Sequence, residues 1–210
     1  MMINNIQIAS LLGNQPPSND DDPFDVIPRP DIERLKAKPS AAIDLRLGCW
    51  FATLRKSKSS LLDIREKSNL LEENAFTKMQ YIPFRQKFVL HPRDFVLGVT
   101  LEWIRMSNKY GGYVTSRSKW GRRGLVIATA IGVHPSFIGC LTLELTNLGE
   151  VPIALYPGMQ VCQLFLHKVD GAYVAGNDSA YAGKRKPFIG QISLEDDPIA
   201  MKLIQDADGQ

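Results

Sequence analysis

Side chains that could bind phosphate and move a proton are concentrated in residues 116–149. The segment SRSKWGRRG (residues 116–124) combines serine hydroxyls with Arg117, Lys119 and Arg122. A serine-rich loop that opens a short helix could offer backbone N–H groups to phosphate oxygens as an anion site. A solvated basic turn is the simpler interpretation of the loop alone. Non-specific nucleic-acid binding is a weaker possibility, because one short patch lacks the charged surface that it normally needs.

A carboxylate lies twenty residues further on, in the segment CLTLEL (residues 140–145). Side chains of a strand alternate between its faces, so the leucines point to one side and Thr142 and Glu144 to the other. Glu144 could be a solvent-facing residue of a half-exposed sheet, which is the simpler interpretation of the pattern. It could also be a general base in a pocket.

Between these two segments, VIATAIGVHP (residues 126–135) predicts an apolar strand that runs into a hairpin turn or bulge at Gly132 and Val133. His134 could contact a ligand there. It could equally be a turn histidine, which is the simpler interpretation of the residue taken alone.

The elements that must position these residues are mostly short strands separated by Pro and Gly turns, which is typical of an all-β barrel or sandwich. A short N-terminal helix capped by Asn4 or Asn5 precedes them. Residues 55–80 are polar with weak strand signals and predict a loop or a short helical excursion. The predicted strands are residues 40–51, 87–90, 95–101, 151–155 and 161–169, with turns at 91–94 and 156–159, and residues 113–115 lead into the segment 116–149.

Composition excludes several classes of function. The chain has 210 residues, 44% of them apolar, and a net charge of +3, which is too small for a general nucleic-acid or membrane binder. The three cysteines form no C-x-x-C pair, which argues against a disulfide framework, a structural zinc site and the zinc deaminase signature. Cys140 and Cys162 lie in apolar runs and are expected to be buried. No signal peptide or membrane span is recognisable, so we expect a cytoplasmic protein.

Taken in order, the motifs resemble the dCTP deaminase branch of the dUTPase-like superfamily. The resemblance rests on S-R-S-x-W-G-R-x-G-L, G-V-x-P-x-F-x-G-C, L-T-L-E-L-x-N-L-G, L-Y-P-G-M and Q-L-F, and upstream on I-P-R-P and I-D-L-R-L-G. It extends from about residue 28 to residue 184, which is most of the chain, and it favours the pocket interpretation of Glu144.

The resemblance implies a distorted β-barrel of the dUTPase-like (β-clip) type with short helices, assembled as a homotrimer with active sites between subunits. It implies deamination of dCTP to dUTP and ammonia without zinc, with Mg²⁺ accompanying the triphosphate. Nucleic-acid polymers and membranes are not expected partners. The corresponding organisation is an N-terminal helix and proline-rich arm (residues 1–30), the β domain (31–170) and a C-terminal lid and tail (171–210).

Residue roles follow by matching motif positions. Glu144 matches the catalytic glutamate, Ser118 the serine that holds the attacking water, and Arg122 the arginine that positions the carboxylate. The resemblance places no metal ligand on the protein. The expected substrate-binding residues are Arg117, Ser118, Lys119, Arg122, Thr129, Ala130, His134, Thr142, Leu143, Gln163, Tyr173 and Lys184.

Two departures from the family pattern bear on substrate choice. Lys119 stands where a second serine is usual, a change that phosphate binding tolerates. The hairpin is one residue shorter than G-V-I-D-P, and His134 replaces its aspartate, which in dUTP-hydrolysing relatives helps to orient water. A dCTP deaminase is therefore favoured over two alternatives, a bifunctional deaminase and dUTP diphosphatase that forms dUMP and a catalytically weak nucleotide-binding regulator.

Overall fold

The structure, a computed structural model, describes residues 1–13, 22–37, 39–54, 77–128, 132–171, 183–190 and 199. Its helices are α1 (Asn5–Gly13), α2 (Ile32–Ala37) and α3 (Ser118–Gly121). Its strands are β1 (Asp25–Ile27), β2 (Ala42–Arg46), β3 (Trp50–Leu54), β4 (Thr77–Tyr81), β5 (Phe88–Leu90), β6 (Phe95–Arg105), β7 (Tyr110–Ser116), β8 (Leu125–Ile127), β9 (Gly132–Val133), β10 (Ile138–Asn147), β11 (Ile153–Leu155) and β12 (Gln160–Lys168).

The strands form three antiparallel sheets, which confirms the prediction of a mostly β fold. One sheet has the order β4-β3-β6-β10-β8, with β1 also paired to β6. A second has the order β2-β12-β7-β9, and β11 pairs with β5 in a third. A bridge between Leu47 and Thr100 links the two larger sheets, whose inward side chains belong to one hydrophobic core.

Helix α1 packs on this core through Ile8, Ala9 and Leu12. Its first turn is closed by a reciprocal pair of hydrogen bonds between Asn4 and Gln7. The Gln7 N–H donates to Asn4 Oδ1 over 2.9 Å, and the Asn4 N–H donates to Gln7 Oε1 over 3.0 Å. Asn4 is therefore the capping residue, one of the two that the sequence offered.

Residues 40–51 are two strands in different sheets and not the single strand that the sequence predicts. The break falls at Gly48, where a Cβ would lie 3.0 Å from the Val99 main-chain oxygen. Because only glycine permits this approach of two backbones, the chain crosses between the sheets there. The expected turn at residues 156–159 is confirmed, with a hydrogen bond of 3.1 Å from the Met159 N–H to the Tyr156 oxygen and a φ of 91° at Gly158.

Two other expectations were wrong. The end of the segment 55–80 is strand β4, an edge strand paired with β3 and rich in polar side chains, so its propensity signal is weak; residues 55–76 lie outside the described residues. Gly132 and Val133 form β9, which pairs with β7. The turn follows β9 and spans residues 134–137, where the Phe137 N–H donates to the His134 oxygen over 3.2 Å.

All three cysteines are free; Cys162 is buried as expected, whereas Cys140 is half-buried. Among the helices of the described ranges, none is long and apolar enough to cross a membrane.

Candidate active site

Glu144 lies on the half-buried face of β10, as the alternation of the sequence predicts. Side chains along β10 alternate regularly between half-buried and buried positions. Thr142 and Glu144 are on the half-buried face, whereas Leu143 is completely buried in the core. The Leu143 side chain therefore packs in the core on the opposite face of this strand and is not exposed to a ligand.

The edge of β10 that faces away from β6 has different neighbours along its length. Near its start, the Gly183 N–H donates to the Ile138 oxygen over 2.6 Å, and the Cys140 N–H donates to the Lys184 oxygen over 2.9 Å. Near its middle, the Ala128 N–H donates to the Glu144 oxygen over 2.9 Å, and β8 pairs from there on. Main-chain groups of alternate residues point to the same edge. The N–H and C=O groups of Thr142 therefore point to the interval between these two neighbours, which spans about 13 Å from Cys140 to Glu144.

A β-bulge next to this interval fixes the register of β10. The ladder to β6 shifts between Cys140 and Thr142. The Leu141 N–H donates instead to Thr100 Oγ1 over 2.9 Å, and that hydroxyl donates to the Glu102 main-chain oxygen over 2.8 Å. The bulge thus keeps its polar groups paired while it sets which side chains accompany Glu144 on the open face.

The basic loop is built around α3, and its arginine at the start of the helix is held by side chains from the other large sheet. Arg117 Nη1 lies 3.0 Å from Asp44 Oδ1 and donates to Gln160 Oε1 over 2.6 Å. Trp120 Nε1 donates to the main-chain oxygen of the same Gln160 over 2.9 Å. Trp120 therefore anchors the loop, and neither Asp44 nor Gln160 was among the residues that the sequence analysis connected with it.

Most other polar residues of the loop face solvent. Ser118, Lys119 and Arg122 are exposed, and no side chain caps the start of α3. Arg123 Nη1 folds back and donates to the Lys119 oxygen over 2.7 Å. Ser118 and Arg122 thus lie on the surface of the loop, whereas Glu144 is half-buried on β10.

Two glycines connect the end of this loop to the end of β10. Gly124 has a φ of 89°, and a Cβ there would lie 2.5 Å from the Gly149 nitrogen. The Leu148 N–H donates to the Gly124 oxygen over 2.8 Å, and the Gly149 N–H donates to Oδ1 of the fully buried Asn147 over 2.9 Å. The loop and the glutamate strand are thus fixed to each other at this point.

The C-terminal strap, which we define as residues 183–190, lies along the start of β10. Besides its two main-chain hydrogen bonds, the Phe188 N–H donates to Thr142 Oγ1 over 3.4 Å. Lys184 Nζ lies 4.6 Å from the centre of the Phe188 ring, and Lys186 Nζ lies 4.2 Å from a ring centre of Trp50. The strap therefore contacts this face of β10 at Thr142.

A cavity of about 440 Å³ lies beside the strap. Trp50, Trp103, Cys140 and Arg185 contribute to its lining, whereas Ser118, Arg122 and Glu144 do not. Burial raises the pKa of the Cys140 thiol to about 11, although nearby Arg185 acts in the opposite direction. The thiol is therefore protonated at neutral pH and is a poor nucleophile.

Of the remaining predicted substrate-binding residues, Gln163 lies near the basic loop and His134 lies on the surface. Gln163 Nε2 donates to Asp44 Oδ1 over 3.0 Å, which brings Gln163 next to Arg117. His134 is exposed at the start of its turn. Thr129, Ala130 and Tyr173 lie outside the described residues.

No group of three or more His, Cys, Asp or Glu side chains converges on a metal site within the described ranges. These residues do not form a cage for Mg²⁺, which usually keeps several waters and binds through substrate phosphates. An Mg²⁺ ion expected with a triphosphate would depend on the phosphate oxygens for its ligands.

Comparison with known proteins places most of the chain in one family. A family model described as dCTP deaminase-like matches residues 30–169. The dUMP-forming dCTP deaminase of Dictyoglomus thermophilum is 32% identical over 170 residues, which cover 79% of this chain and 85% of the relative. The dUMP-forming dCTP deaminase of Corynebacterium diphtheriae is 36% identical over 155 residues, which cover 70% of this chain and 79% of the relative.

A solved structure extends the comparison to the fold. The 2′-deoxycytidine 5′-triphosphate deaminase of Agrobacterium tumefaciens superposes with a TM-score of 0.55 at 18% identity. The match covers 79% of this chain but 46% of that protein, so this chain spans less than half of its length. At this identity the likeness concerns the fold alone.

Proposed function

Because this chain belongs to the dCTP deaminase-like family, we propose that it is a hydrolase that converts dCTP to dUTP and ammonia. The observation that carries the proposal is the position of Glu144, half-buried on the open face of β10 and beside the edge to which the Thr142 main chain points. A carboxylate in this position can exchange protons with a ring bound along that edge.

The reaction requires one group that moves protons twice. Glu144 takes a proton from a water molecule as the water oxygen attacks C4 of cytosine, and the proton passes to N3. Glu144 then transfers the second proton of that water to the amino group, the C4–N bond breaks, and ammonia leaves as C4 becomes a carbonyl. A carboxylate suits this role because it cycles between its two protonation states.

The base would be recognised by the edge of β10. One main-chain donor and one acceptor at Thr142 match the acceptor and donor edge of a pyrimidine. We infer that the C-terminal segment, residues 171–210, acts as a lid over the bound nucleotide. This inference is supported by the strap, which contacts the Thr142 side chain on this face.

The triphosphate would bind at the basic loop. The uncapped N–H groups of α3 and the exposed Lys119 and Arg122 offer donors and positive charge. Mg²⁺ would accompany the phosphates and reduce their charge, without a dedicated set of protein ligands. Such an enzyme of deoxynucleotide metabolism would work in the cytoplasm.

The active site would form between copies of the chain in a homotrimer. This part of the proposal is supported by the exposure of Ser118 and Arg122, which leaves them accessible to a second copy of the chain, and by the family resemblance, which implies sites between subunits. Co-refolding Glu144→Gln with Arg122→Ala tests it. If each site takes Glu144 from one copy and Arg122 from another, mixed trimers regain deamination that neither variant has alone, whereas mixtures as inactive as the parents would contradict sharing.

The product profile tests the activity itself. Purified protein with dCTP and Mg²⁺ should release ammonia and dUTP in equal amounts, measured by an ammonia assay and anion-exchange chromatography. Tight dCTP binding without turnover would contradict the proposal and favour a nucleotide-binding regulator.

A second candidate is a bifunctional enzyme that continues to dUMP and diphosphate. The names of the two relatives described above favour it, since both are dUMP-forming. The replacement of the usual hairpin aspartate by His134 argues against it. Incubation with dUTP decides between the two, and His134→Asp should increase the yield of dUMP if this position orients the hydrolytic water.

A further inference from the structure

Asp44 belongs to the I-D-L-R-L-G segment, to which the sequence assigned no role in the site. The structure places its carboxylate against two of the predicted substrate-binding side chains. Asp44 Oδ1 lies 3.0 Å from Arg117 Nη1 and accepts a hydrogen bond of 3.0 Å from Gln163 Nε2. One oxygen atom thus connects residues that lie far apart in the chain.

The environment of this contact favours a fixed geometry. The Asp44 and Arg117 side chains are only 11% and 23% exposed. Ion pairs that are largely withdrawn from water keep their orientation better than exposed pairs, and removal of one partner leaves the other charge unpaired. Asp44 also lies on β2 directly opposite Gln163 of β12, so the carboxylate has a rigid support.

A second contact transmits this geometry to the loop. Arg117 Nη1 also donates to Gln160 Oε1, and the Arg117 N–H donates to the Val161 oxygen over 3.0 Å. Since Trp120 binds the main chain of Gln160, both ends of α3 are tied to the same part of β12. The orientation of the α3 N–H groups therefore depends on the group that holds Arg117.

We propose that Asp44 is a positioning residue for triphosphate binding. It holds Arg117 and Gln163 so that these two side chains present their donors to the phosphates. This inference rests on the proposed function, because it assumes that the basic loop binds the triphosphate of a nucleotide.

The substitution Asp44→Asn tests this role, because it removes the negative charge of the side chain and keeps its shape. In Asp44→Asn, the KM for dCTP should rise on the order of 10-fold to 100-fold while kcat stays within about 2-fold, because loss of a supporting residue weakens the site that it orients. Direct binding measured by calorimetry should weaken by the same factor for dCTP and for inorganic triphosphate. Deoxycytidine, which has no phosphate, should bind both proteins equally.

The matched control is Asp25→Asn, which removes the same charge from the ion pair between Asp25 and Arg29 at 3.4 Å. It should leave the KM unchanged. Arg117→Lys provides a second route if Asp44→Asn does not fold, because an ammonium cannot hold Asp44 and Gln160 in the same fork geometry and should give the same selective loss of triphosphate binding.

The possible outcomes distinguish the role of Asp44 from the proposed function. A lower melting temperature with unchanged KM would make Asp44 merely structural, and a lower kcat with unchanged triphosphate binding would place its effect on the chemistry; either result overturns the proposal. If the wild type does not deaminate dCTP, the proposed function fails, while the binding measurements with inorganic triphosphate still test whether Asp44 organises the loop.

Discussion

The strand that carries Glu144 and the loop that carries Ser118 and Arg122 are held in place by different means. Strand β10 is fixed by main-chain ladders to β6 and β8. The loop is fixed by side chains, mainly the contacts of Arg117 with Asp44 and of Trp120 with Gln160. The position of the carboxylate is thus a property of the backbone, whereas the position of the cations depends on individual side chains.

This difference predicts different responses to substitution. Changes on β10 should act on chemistry and leave the fold unchanged, whereas changes around the loop should act on stability and substrate binding together.

The largest effect is expected for Glu144→Gln. The amide cannot accept the proton of the attacking water, so ammonia release from dCTP should fall on the order of 100-fold to 10,000-fold. The fold should be retained, because the main-chain ladders of β10 do not use this side chain. Glu150→Gln makes the same chemical change at an exposed turn and should retain full activity; residual turnover near the wild-type rate in Glu144→Gln would remove Glu144 from the mechanism.

Gly124→Ala should have the next largest effect, on stability. The new Cβ would lie 2.5 Å from the Gly149 nitrogen, at a φ of 89° that alanine rarely adopts. A loss of about 2–4 kcal/mol in the free energy of unfolding is expected, measured by urea denaturation. Gly121→Ala is the control, since its Cβ would have no neighbour closer than 4.0 Å and alanine favours a helix. Equal stability of the two variants would show that the loop and β10 are not fixed to each other there.

Trp120→Phe should have a smaller effect that is specific to the loop. Phenylalanine fills most of the same volume but cannot donate to the Gln160 oxygen. The expected loss is about 1 kcal/mol of stability, together with a higher KM for dCTP and little change in kcat. Steady-state kinetics and thermal unfolding measure both quantities, and an unchanged KM would mean that the orientation of α3 does not depend on this anchor.

The smallest expected effect is the contribution of Cys140 to the pH dependence of stability. Its pKa is raised from 9.0 to about 11, chiefly by burial, so the folded state retains a proton that the unfolded state loses above pH 9. The contribution of this thiol to stability is therefore fully present below pH 9 and declines as pH rises toward 11. Alkylation of Cys140 by iodoacetamide should be slow in the folded protein at pH 9 and faster in urea, as measured by mass spectrometry, and equal rates would show that the strap and β6 do not shield the thiol.

The same contrast decides what the sequence could predict. Period-two alternation in CLTLEL was enough to place Glu144 and Thr142 on one face, because strand geometry is local. The short helix at Ser118 and the turn at Pro157 and Gly158 were also predicted from local signals.

Features that depend on distant partners could not be predicted in this way. The contact between Asp44 and Gln163 joins residues 119 positions apart, and no local pattern in either segment indicates it. The division of residues 40–51 between two sheets depends on the approach of Gly48 to β6, and the pairing of β4 with β3 depends on backbone hydrogen bonds at a polar edge. Each of these is decided by tertiary contacts and not by propensity.

The close approach of Gly124 to Gly149 also defines what can be exchanged when this protein is engineered. A loop from a relative brings its own length and charge, but it must return to a backbone crossing that has no room for a Cβ. The transferable module is therefore the whole segment from Arg117 to Gly149, glutamate strand included. Libraries that vary the exposed positions 118, 119 and 122 and keep both glycines should preserve folded protein while they alter which anionic substrates are accepted.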